Sequence, residues 1–346
     1  MNDLMTGFPA TVEALEDELS RPSAAVGEAL ATTEGDIVVL GAGGKVGPTL
    51  VRMIQRALDE AGSSRRVLAV SRWSDAEVRD RVAGWGVEPI SADLSDPGCW
   101  EGLPDAGAMF FLAGNKFGTS GNEHLTWWMN AVVPGMAAAR YRGVPTVVYG
   151  SGNVYPFVDP TSGGCRESDP VGPVGAYAQS CLAREQAFTH AAHAWGTPVS
   201  IYRLNYAVEL RYGVLADIAS TIMAGEPVDV TMGAVNLVWQ RDSTEWSIRS
   251  IAQAGTPPFV LNGTGPETAS TRSLATQLAD LLGRELTLTG TEAPEALLSN
   301  AALCHGLYGY PTVPLQQALA WVAEWINRGG AQLGKATKFQ TRDGKF

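Results

Sequence analysis

The stretch YAQSC places Tyr177 four residues before Cys181. Residues four apart lie on the same face of a helix, so the two side chains are expected to be neighbours. A free tyrosine titrates near pKa 10, and half ionisation at pH 7 needs a shift of about three units, roughly 4 kcal/mol. A neutral thiol supplies almost none of this shift. Tyr177 is therefore predicted to be a competent general acid but a poor general base near neutral pH.

A serine lies upstream of this tyrosine, at the end of the apolar run PTVVYGS. Ser151 and Tyr177 form a pair of hydroxyls that can hydrogen-bond one substrate oxygen. Tyr177 as a buried structural side chain remains an alternative. Cys181 as a nucleophile is a further alternative, although no cation that would lower the pKa of its thiol is evident nearby.

Other polar residues follow the apolar runs of the chain. Glu123 and His124, in GNEHLTWW, are candidates for a helper base, although a solvated loop and helix start is the favoured interpretation. Asn153 and Asn205 are candidates for contacts with the substrate.

A glycine-rich segment, GAGGKVG, follows the first apolar run. Its Gly41, Gly44 and Gly47 form a GxxGxxG pattern, which permits a tight turn, a close approach of the backbone to a pyrophosphate, and a helix N-terminus directed at the phosphates. Lys45 and Val46 lie inside the same turn. The position of this turn after the first strand of a β/α chain indicates a dinucleotide site.

The end of the second apolar run bears on the choice of cofactor. A dinucleotide fold that binds NAD usually has an acidic residue here for the adenine ribose. Ser71 and Arg72 stand there instead, and they suit a 2′-phosphate better than a free diol. These two residues favour NADP over NAD. The preference is only slight, because the nearby Asp75 could take the role of the acidic residue that NAD requires. Asp93 and Leu94 end the third run, where Asp93 is predicted to reach the adenine or else to cap the turn.

Short apolar runs alternate with helical patterns from residue 36 onward. Such continuous apolar strands predict a parallel sheet with helices on both faces, an α/β fold of the Rossmann type with doubly wound topology and a smaller C-terminal α/β substrate-binding region. Before this fold, Thr11 is predicted to cap a helix that packs as a clasp on the domain surface. The predicted divisions are an N-terminal helical extension (1–35), a dinucleotide-binding domain (36–206, with 238–268 returning to it), a substrate-binding region (207–237 and 269–330) and a solvated tail (331–346).

Composition limits the class of partner. The 346 residues are 45% hydrophobic and 18% charged, with a net charge of -11. This charge argues against nucleic acid and against an anionic membrane surface, and it leaves a small-molecule substrate. The four cysteines lie far apart, which suits reduced thiols and predicts no metal site. The acidic N-terminal stretch lacks the apolar run of a signal peptide, so a cytoplasmic location is expected.

Several segments resemble the extended short-chain dehydrogenase/reductase family, the NAD-dependent epimerases and dehydratases. FFLAGNKFG is similar to the fourth-strand segment of UDP-galactose 4-epimerases, in which an Ala-Gly-x-Lys places a lysine beside the cofactor; Ala113, Gly114 and Lys116 match it. Ser151 matches the family's catalytic Ser/Thr, and Tyr177 its catalytic tyrosine. The resemblance spans about residues 36–330 and implies a Rossmann fold and NAD or NADP as cofactor.

Two departures from the family concern the catalytic centre. Cys181 stands where the family has a lysine that holds the nicotinamide ribose and lowers the tyrosine pKa, so Lys116 is a candidate to supply part of that effect. After the sixth strand Arg203 matches the family arginine, but Asn205 comes one residue early and the following Gly-Pro is absent.

A third departure concerns the substrate. Nucleotide-sugar enzymes of the family place an arginine on the substrate diphosphate about seven residues before an aspartate, and counting back from Asp242 reaches Val235. A valine cannot neutralise a diphosphate, although Arg211 or Arg241 remain alternatives for the missing charge. A small carbohydrate-like hydroxy or keto compound without a nucleotide is therefore the favoured substrate.

The resemblance implies an NAD(P)-dependent oxidoreductase or epimerase in which Ser151 and Tyr177 are the acid–base pair. It also implies a homodimer, since the family often uses the helix that contains Trp127 and Trp128 for dimerisation. Two alternatives remain open. One is a catalytically silent dinucleotide-binding sensor or scaffold, and the other is a lyase or isomerase that uses a tightly held NAD without net redox change.

Overall fold

The computed structural model describes residues 3–116 and 121–345. Thirteen strands occur in these ranges, and seven of them form a central sheet. In chain order the strands are β1 (Ile37–Leu40), β2 (Val67–Ser71), β3 (Glu88–Ser91), β4 (Ala108–Phe111), β5 (Thr146–Ser151), β6 (Val199–Leu204), β7 (Ala207–Val208), β8 (Val228–Asp229), β9 (Ala234–Val235), β10 (Val238–Trp239), β11 (Phe259–Gly263), β12 (Ala269–Ser270) and β13 (Leu288–Thr289).

Twelve α-helices accompany these strands in the described ranges. They are α1 (Val12–Leu19), α2 (Ala24–Leu30), α3 (Gly47–Glu60), α4 (Ala76–Gly84), α5 (Glu123–Trp127), α6 (Val133–Arg140), α7 (Gly175–Trp195), α8 (Val214–Met223), α9 (Gln240–Arg249), α10 (Thr271–Leu282), α11 (Ala302–Tyr308) and α12 (Leu315–Asn327). A π-helical turn, Trp128–Val132, joins α5 to α6.

The central sheet is parallel throughout, in the order β11-β6-β5-β4-β1-β2-β3. Its middle strands are short apolar runs with both faces buried, such as IVVL in β1 and AMFF in β4. Two separate apolar cores lie against the sheet. The predicted Rossmann-type doubly wound fold is confirmed. Strand order reverses between β1 and β4, and ligands of such sheets bind in the crevice at the carboxyl ends of the strands at this point.

The N-terminal helices pack into the cores. Thr11 caps α1 as expected, with its hydroxyl accepting from Ala14 N at 3.2 Å. Leu15 and Leu19 of α1 lie in a third core formed mainly by α8, α10 and α12, while Leu30 of α2 packs with α3 and α9. Strand β11 pairs with β6 at the sheet edge, although its sequence follows the region predicted to bind substrate. The domain boundaries themselves stay a prediction.

Residues 331–345 are called the C-terminal segment below. Residues 331–336 are exposed, in agreement with the expected solvated tail, whereas the expectation is wrong from residue 337 to residue 342, which are buried or half-buried. Thr337 and Phe339 are buried, at 2% and 5% exposure. The backbone N–H and hydroxyl of Thr337 donate to the Asp217 carboxylate at 2.7 and 2.6 Å. These contacts lie on α8, beside the crevice. In the described residues, every helix is too short or too polar to cross a membrane.

Candidate functional site

The glycine-rich turn joins β1 to α3 at the carboxyl edge of the sheet. Gly41 has φ +89°, and a Cβ there would lie 2.6 Å from the backbone nitrogen of Ala113, just beyond β4. A Cβ on Gly47, at the start of α3, would overlap the carbonyl oxygen of Ala42. Gly44 N donates to Gly41 O at 3.1 Å, which closes the turn. The turn therefore packs directly on neighbouring backbone, which a side chain at Gly41 or Gly47 would prevent.

Three lysines, called the cation cluster below, lie around this crevice: Lys45 of the turn, Lys116 after β4 and Lys335 of the C-terminal segment. The Lys45 ammonium lies 3.3 Å from the ring centroid of Tyr212. Burial, then the charges of Lys116 and Lys335, lower the pKa of Lys45 to about 7, and Asp217 opposes this shift. Like charges close together in a partly buried crevice favour an anion there.

Tyr177 lies in the first turn of α7, and Ser151 ends the adjacent strand β5. The Tyr177 side chain lies close enough to both Ser151 and Cys181 for these two groups to affect its pKa. Ser151 Oγ also lies 3.1 Å from Nδ2 of Asn153, which donates to it. The structure thus brings the predicted hydroxyl pair together, with Cys181 one helical turn beyond the tyrosine.

Burial and the nearby Cys181 raise the pKa of Tyr177 well above 10, against the opposing effects of Arg184 and Ser151. Burial likewise raises the pKa of Cys181, whose side chain has no exposed surface. Both groups are therefore neutral at pH 7. This agrees with Tyr177 as an acid and disfavours Cys181 as a nucleophile, since thiolate is the reactive form.

Lys116 can supply part of the positive charge that the family's lysine provides and that Cys181 does not. Its ammonium is 5.9 Å from the ring centroid of Tyr177 and 6.0 Å from that of Tyr206. Burial lowers the Lys116 pKa to about 8, while Cys181 and Asp217 act to raise it. Lys116 is mostly protonated at pH 7, so a positive charge faces the tyrosine from the sheet side.

A second charged group lies behind Tyr177 and is fully paired. Glu185 and Arg203 form a buried two-pronged ion pair, with the shortest N–O distance 2.7 Å. Arg203 also donates to the Tyr155 hydroxyl at 2.8 Å, and that hydroxyl donates to Asn262. Arg184, which precedes Glu185 on α7, donates to the carbonyl of Tyr149 at 2.7 Å. This network connects α7, the helix that carries Tyr177, to the sheet.

Of the residues predicted to lie at the adenine half of the dinucleotide, some are already engaged in local hydrogen bonds. Ser71 ends β2 beside Gly43, since a Cβ on that glycine would lie 2.6 Å from Ser71 Oγ. Asp75 caps α4 by accepting from Glu77 N at 3.0 Å, so its carboxylate serves the helix. Asp93 accepts from the backbone and hydroxyl of Ser95 at 3.0 and 2.7 Å, which matches the turn-capping alternative.

Arg72 and Leu94 complete that end. Arg72 is exposed and close enough to lower the pKa of Asp93, after the hydrogen bonds from Ser95. Leu94 is buried in the core under β1 and β2. The choice between NAD and NADP stays a prediction.

Four further predicted positions have other surroundings. The exposed Glu123 accepts from Gly121 N at 3.1 Å at the start of α5, in agreement with a solvated helix start, where the neighbouring His124 also lies. Asn205 is buried against Gly152, next to Ser151, and its Nδ2 has no hydrogen-bond partner in residues 3–116 and 121–345. Val46 precedes α3 as its N-terminal cap residue.

The two arginines considered for the missing diphosphate contact already have partners. Arg211 pairs with Glu209 and Glu16, both at 3.2 Å. Arg241 pairs with Asp242 at 3.5 Å and lies 3.6 Å from Glu245. Val235 itself is buried in the core of β9. Neither arginine is therefore available as the anion-binding group that the sequence comparison left open.

Sequence reasoning missed the contribution of Tyr206, Tyr212, Asp217 and the C-terminal segment. Tyr206 has φ +49°, and its hydroxyl donates to Phe339 O at 3.4 Å. The departure from the family pattern after Arg203, in RLNYAVELRYG, is the signal nearest to Tyr206 and Tyr212. A Gly-rich basic segment gives no comparable signal.

The residues of the crevice fit a nicotinamide dinucleotide. Gly41 and Gly47 let the turn pack tightly against the backbone of Ala113 and Ala42, the compact geometry that a dinucleotide-binding turn requires. An anion in this position would raise the pKa of Lys45 towards its ordinary value, because the anion offsets the charges of Lys116 and Lys335. Backbone and charge thus favour the same ligand class.

Comparisons with solved structures support the same fold. MoeE5 in complex with UDP-glucose and NAD is 22% identical, with a TM-score of 0.69 over 85% of this chain and 99% of that chain. UDP-glucuronic acid 4-epimerase from Bacillus cereus, in complex with UDP-glucuronic acid and NAD, is 16% identical, with a TM-score of 0.71 over 85% and 99%. The dTDP-glucose 4,6-dehydratase DesIV from Streptomyces venezuelae, a double mutant with NAD bound, is 18% identical, with a TM-score of 0.73 over 85% and 98%.

Sequence comparison with curated proteins gives no significant match. A family model, described as the NAD dependent epimerase/dehydratase family, matches residues 37–230, more than half of the chain. The matched range contains the glycine-rich turn, Ser151, Tyr177 and Lys116, and the family's cofactor class agrees with the predicted NAD or NADP. The chain belongs to the NAD-dependent epimerase/dehydratase family.

Proposed function

We propose that the protein is an NAD(P)-dependent oxidoreductase or epimerase that acts on a small carbohydrate-like hydroxy or keto substrate. The observation that carries this proposal is the proximity of the Tyr177 and Ser151 side chains, with Ser151 ending β5 beside the first turn of α7. This pair lies at the carboxyl edge of the sheet, where β5 meets α7. Two hydroxyls at one point can bind a single carbonyl or alcohol oxygen and exchange a proton with it.

When bound, NAD or NADP supplies hydride transfer. Gly41, Gly44 and Gly47, together with Lys45, would hold its pyrophosphate. The neutral Tyr177 hydroxyl donates its proton to the substrate oxygen, and Ser151 hydrogen-bonds that same oxygen. The Lys116 ammonium stabilises the charge that develops on the tyrosine oxygen as the proton leaves.

The direction of proton transfer follows from the raised Tyr177 pKa. A protonated tyrosine gives up a proton as a carbonyl becomes an alcohol, whereas the reverse reaction needs the ionised form. Reduction is therefore favoured near neutral pH, and oxidation gains as pH rises. A nucleotide-free substrate is supported by Val235, which stands where an arginine would contact a diphosphate.

The direct test combines purified protein, NADH or NADPH, and a panel of keto-sugars. Wild type is expected to oxidise one of the two cofactors with at least one keto-sugar. Tyr177→Phe removes the proton donor while keeping the ring, and it should lower turnover at least 100-fold with cofactor affinity unchanged. Ser151→Ala should lower turnover less. Turnover by Tyr177→Phe at the wild-type rate would exclude this mechanism.

A second candidate is a catalytically silent dinucleotide-binding sensor or scaffold. The observation that favours it is that Ser151 and Cys181, the two side chains beside the Tyr177 hydroxyl, are neutral, and that Cys181 stands where the family has a lysine. Cofactor binding with no turnover on any keto-sugar, and no effect of Tyr177→Phe on ligand affinity, would support this candidate over the enzyme.

Location in the cytoplasm and a homodimer belong to the same proposal. The exposed Leu125, Trp127, Trp128 and Val132 on the helical segment after β4 support a self-association face. Sedimentation at micromolar concentration tests it, with a dimer as the expected species.

A further inference from the structure

Arg184 is a buried arginine on α7, the helix that carries Tyr177. It follows Cys181 by three residues and Tyr177 by seven, so the three side chains lie along one face of the helix. Only 6% of Arg184 is exposed. A buried cation is costly and is normally paired with a carboxylate. The partners of Arg184 therefore decide whether its charge is neutralised.

In the described part of the chain, all hydrogen-bond partners of Arg184 are neutral. Its Nη1 donates to the carbonyl of Tyr149 at 2.7 Å, and its Nη2 donates to Oδ1 of Asn130 at 3.0 Å. Its Nε has no hydrogen-bond partner among the same residues. The next residue, Glu185, forms its ion pair with Arg203, at 2.7 Å. That pair is neutral as a whole, so Arg184 adds an excess positive charge inside the protein.

The guanidinium of Arg184 lies directly behind the backbone that leads to Lys116. A Cβ on Gly114, just beyond β4, would overlap Nη2 of Arg184. Asn130 connects the two, because its Oδ1 also accepts from Asn115 N at 2.7 Å and its Nδ2 donates to Asn115 O at 2.9 Å. Arg184 therefore anchors this side of the crevice and places a positive charge behind it.

The charge of Arg184 reaches both Tyr177 and Cys181. Burial raises the pKa of Tyr177 and Cys181 adds to this rise, whereas Arg184 is the largest opposing influence. Burial also raises the pKa of Cys181, and Arg184 again opposes it most. Seven residues of helix span about 10.5 Å. At that distance a cation favours the ionised form of a tyrosine about tenfold, for an effective dielectric constant of about 20.

We propose that Arg184 is a positioning residue that takes over the electrostatic role of the lysine that the family has at position 181. This inference rests on the proposed function, in which Tyr177 exchanges a proton with the substrate oxygen. Because Arg184 lies behind the backbone of Gly114, it acts on Tyr177 through its charge and not by contact with the substrate. The positive charge has thus moved three residues along the same face of α7, and Cys181 occupies the position that it left.

Exchange of charge between positions 181 and 184 tests this inference. Arg184→Gln keeps a hydrogen-bond donor and removes the charge, so keto-sugar turnover should fall at least tenfold while NADH affinity stays within threefold. Adding Cys181→Lys should return turnover to within threefold of wild type, whereas Cys181→Lys alone should raise wild-type turnover less than threefold. Arg65→Gln is the matched control and should leave turnover within twofold. Arg65 also donates to a backbone carbonyl, that of Leu30 at 2.7 Å, but at the opposite edge of the sheet.

Urea unfolding of the same four proteins gives a result that does not depend on turnover. With Arg184 present, Cys181→Lys places a second cation on the same face of α7. Its rise in the unfolding equilibrium constant should then be at least tenfold larger than in the Arg184→Gln background. Equal rises in the two backgrounds would overturn the inference. Turnover that Cys181→Lys raises equally in both, or that it fails to restore in a folded Arg184→Gln protein, would do the same.

The remaining outcomes separate this inference from the proposed function. If wild type reduces no keto-sugar, the proposed function fails, and the unfolding measurements still show whether Arg184 holds the place of the lysine charge. Should Arg184→Gln not fold, the double variant decides. A folded double variant supports an exchangeable charge. An unfolded one shows that Arg184 is needed for its hydrogen bonds, which overturns the inference.

Discussion

Two charged groups lie on either side of the catalytic helix, and they differ in balance. Behind the helix, Glu185 and Arg203 match one carboxylate to one guanidinium, and neighbouring hydroxyl groups complete the network. In the crevice, the cation cluster brings three lysines together, and the carboxylate of Asp217 acts on two of them, Lys45 and Lys116. The comparison indicates that a group with equal numbers of positive and negative side chains has a structural role. A group with an excess of positive side chains is instead suited to bind an anionic ligand.

The largest effect should come from breaking the balanced group. Glu185→Ala leaves the buried Arg203 without its counter-charge, and the free energy of unfolding should fall by about 3–5 kcal/mol. Urea unfolding measures this loss. Glu324→Ala is the matched control, because it removes the carboxylate of an exposed ion pair with Arg328 and should cost about 0.5 kcal/mol or less. Equal losses in the two variants would contradict the structural role of the buried pair.

The next largest effect is expected from removing a charge of the cation cluster. Lys45→Met removes the ammonium nearest the glycine-rich turn, and the dissociation constant for NADH is expected to rise about 10- to 100-fold, or about 1.4–2.7 kcal/mol. Fluorescence titration of NADH gives the affinity. Arg79→Met, which removes a cation from the exposed face of α4, should leave it within twofold. An unchanged affinity in Lys45→Met would show that the surplus serves something other than the dinucleotide.

A smaller effect is expected where the C-terminal segment joins the crevice. Thr337→Val removes the hydroxyl that donates to Asp217, at a cost of about 1–2 kcal/mol. Because the loss is local, amide hydrogen exchange should speed up in residues 331–345 more than in the central sheet. Exchange that rises equally in both would mean that the segment unfolds together with the whole molecule.

The smallest effect should be a change in pH dependence. The folded-state pKa of Lys45 is about 7 and that of Lys116 about 8, both below the ordinary lysine value of 10.5. Between these values and 10.5 the unfolded chain binds more protons than the folded one, so these two groups make stability rise with pH in that window. Lys45→Met should reduce the slope of unfolding free energy between pH 7 and 9. A steeper slope in the variant would reverse the sign of this argument.

The fold and the catalytic pair were predictable because they depend on local patterns. Apolar runs such as IVVL identify strands buried on both faces, and the spacing of glycines identifies the turn at the switch point. Tyr177 and Ser151 follow such runs at recognisable distances. Each of these signals lies within a few residues of the feature that it predicts.

The C-terminal segment was not predictable for the opposite reason. Its contacts depend on single side chains, such as Phe339 and Thr337, that meet partners more than a hundred residues away. One phenylalanine in a basic, Gly-rich stretch has no periodicity. Likewise, the pairing of Arg211 with Glu16 joins α1 to the loop after β7, and nothing in either local sequence indicates it.

The surplus of positive charge in the crevice has a kinetic consequence. The whole protein carries a net charge of -11, so an anionic dinucleotide is repelled by the body of the molecule and attracted by the crevice. Salt shortens the range of both forces, to about 10 Å at 0.1 M. The long-range repulsion is screened first, and the short-range attraction fades at higher salt. Capture of the ligand should therefore be fastest at intermediate ionic strength and slower on either side.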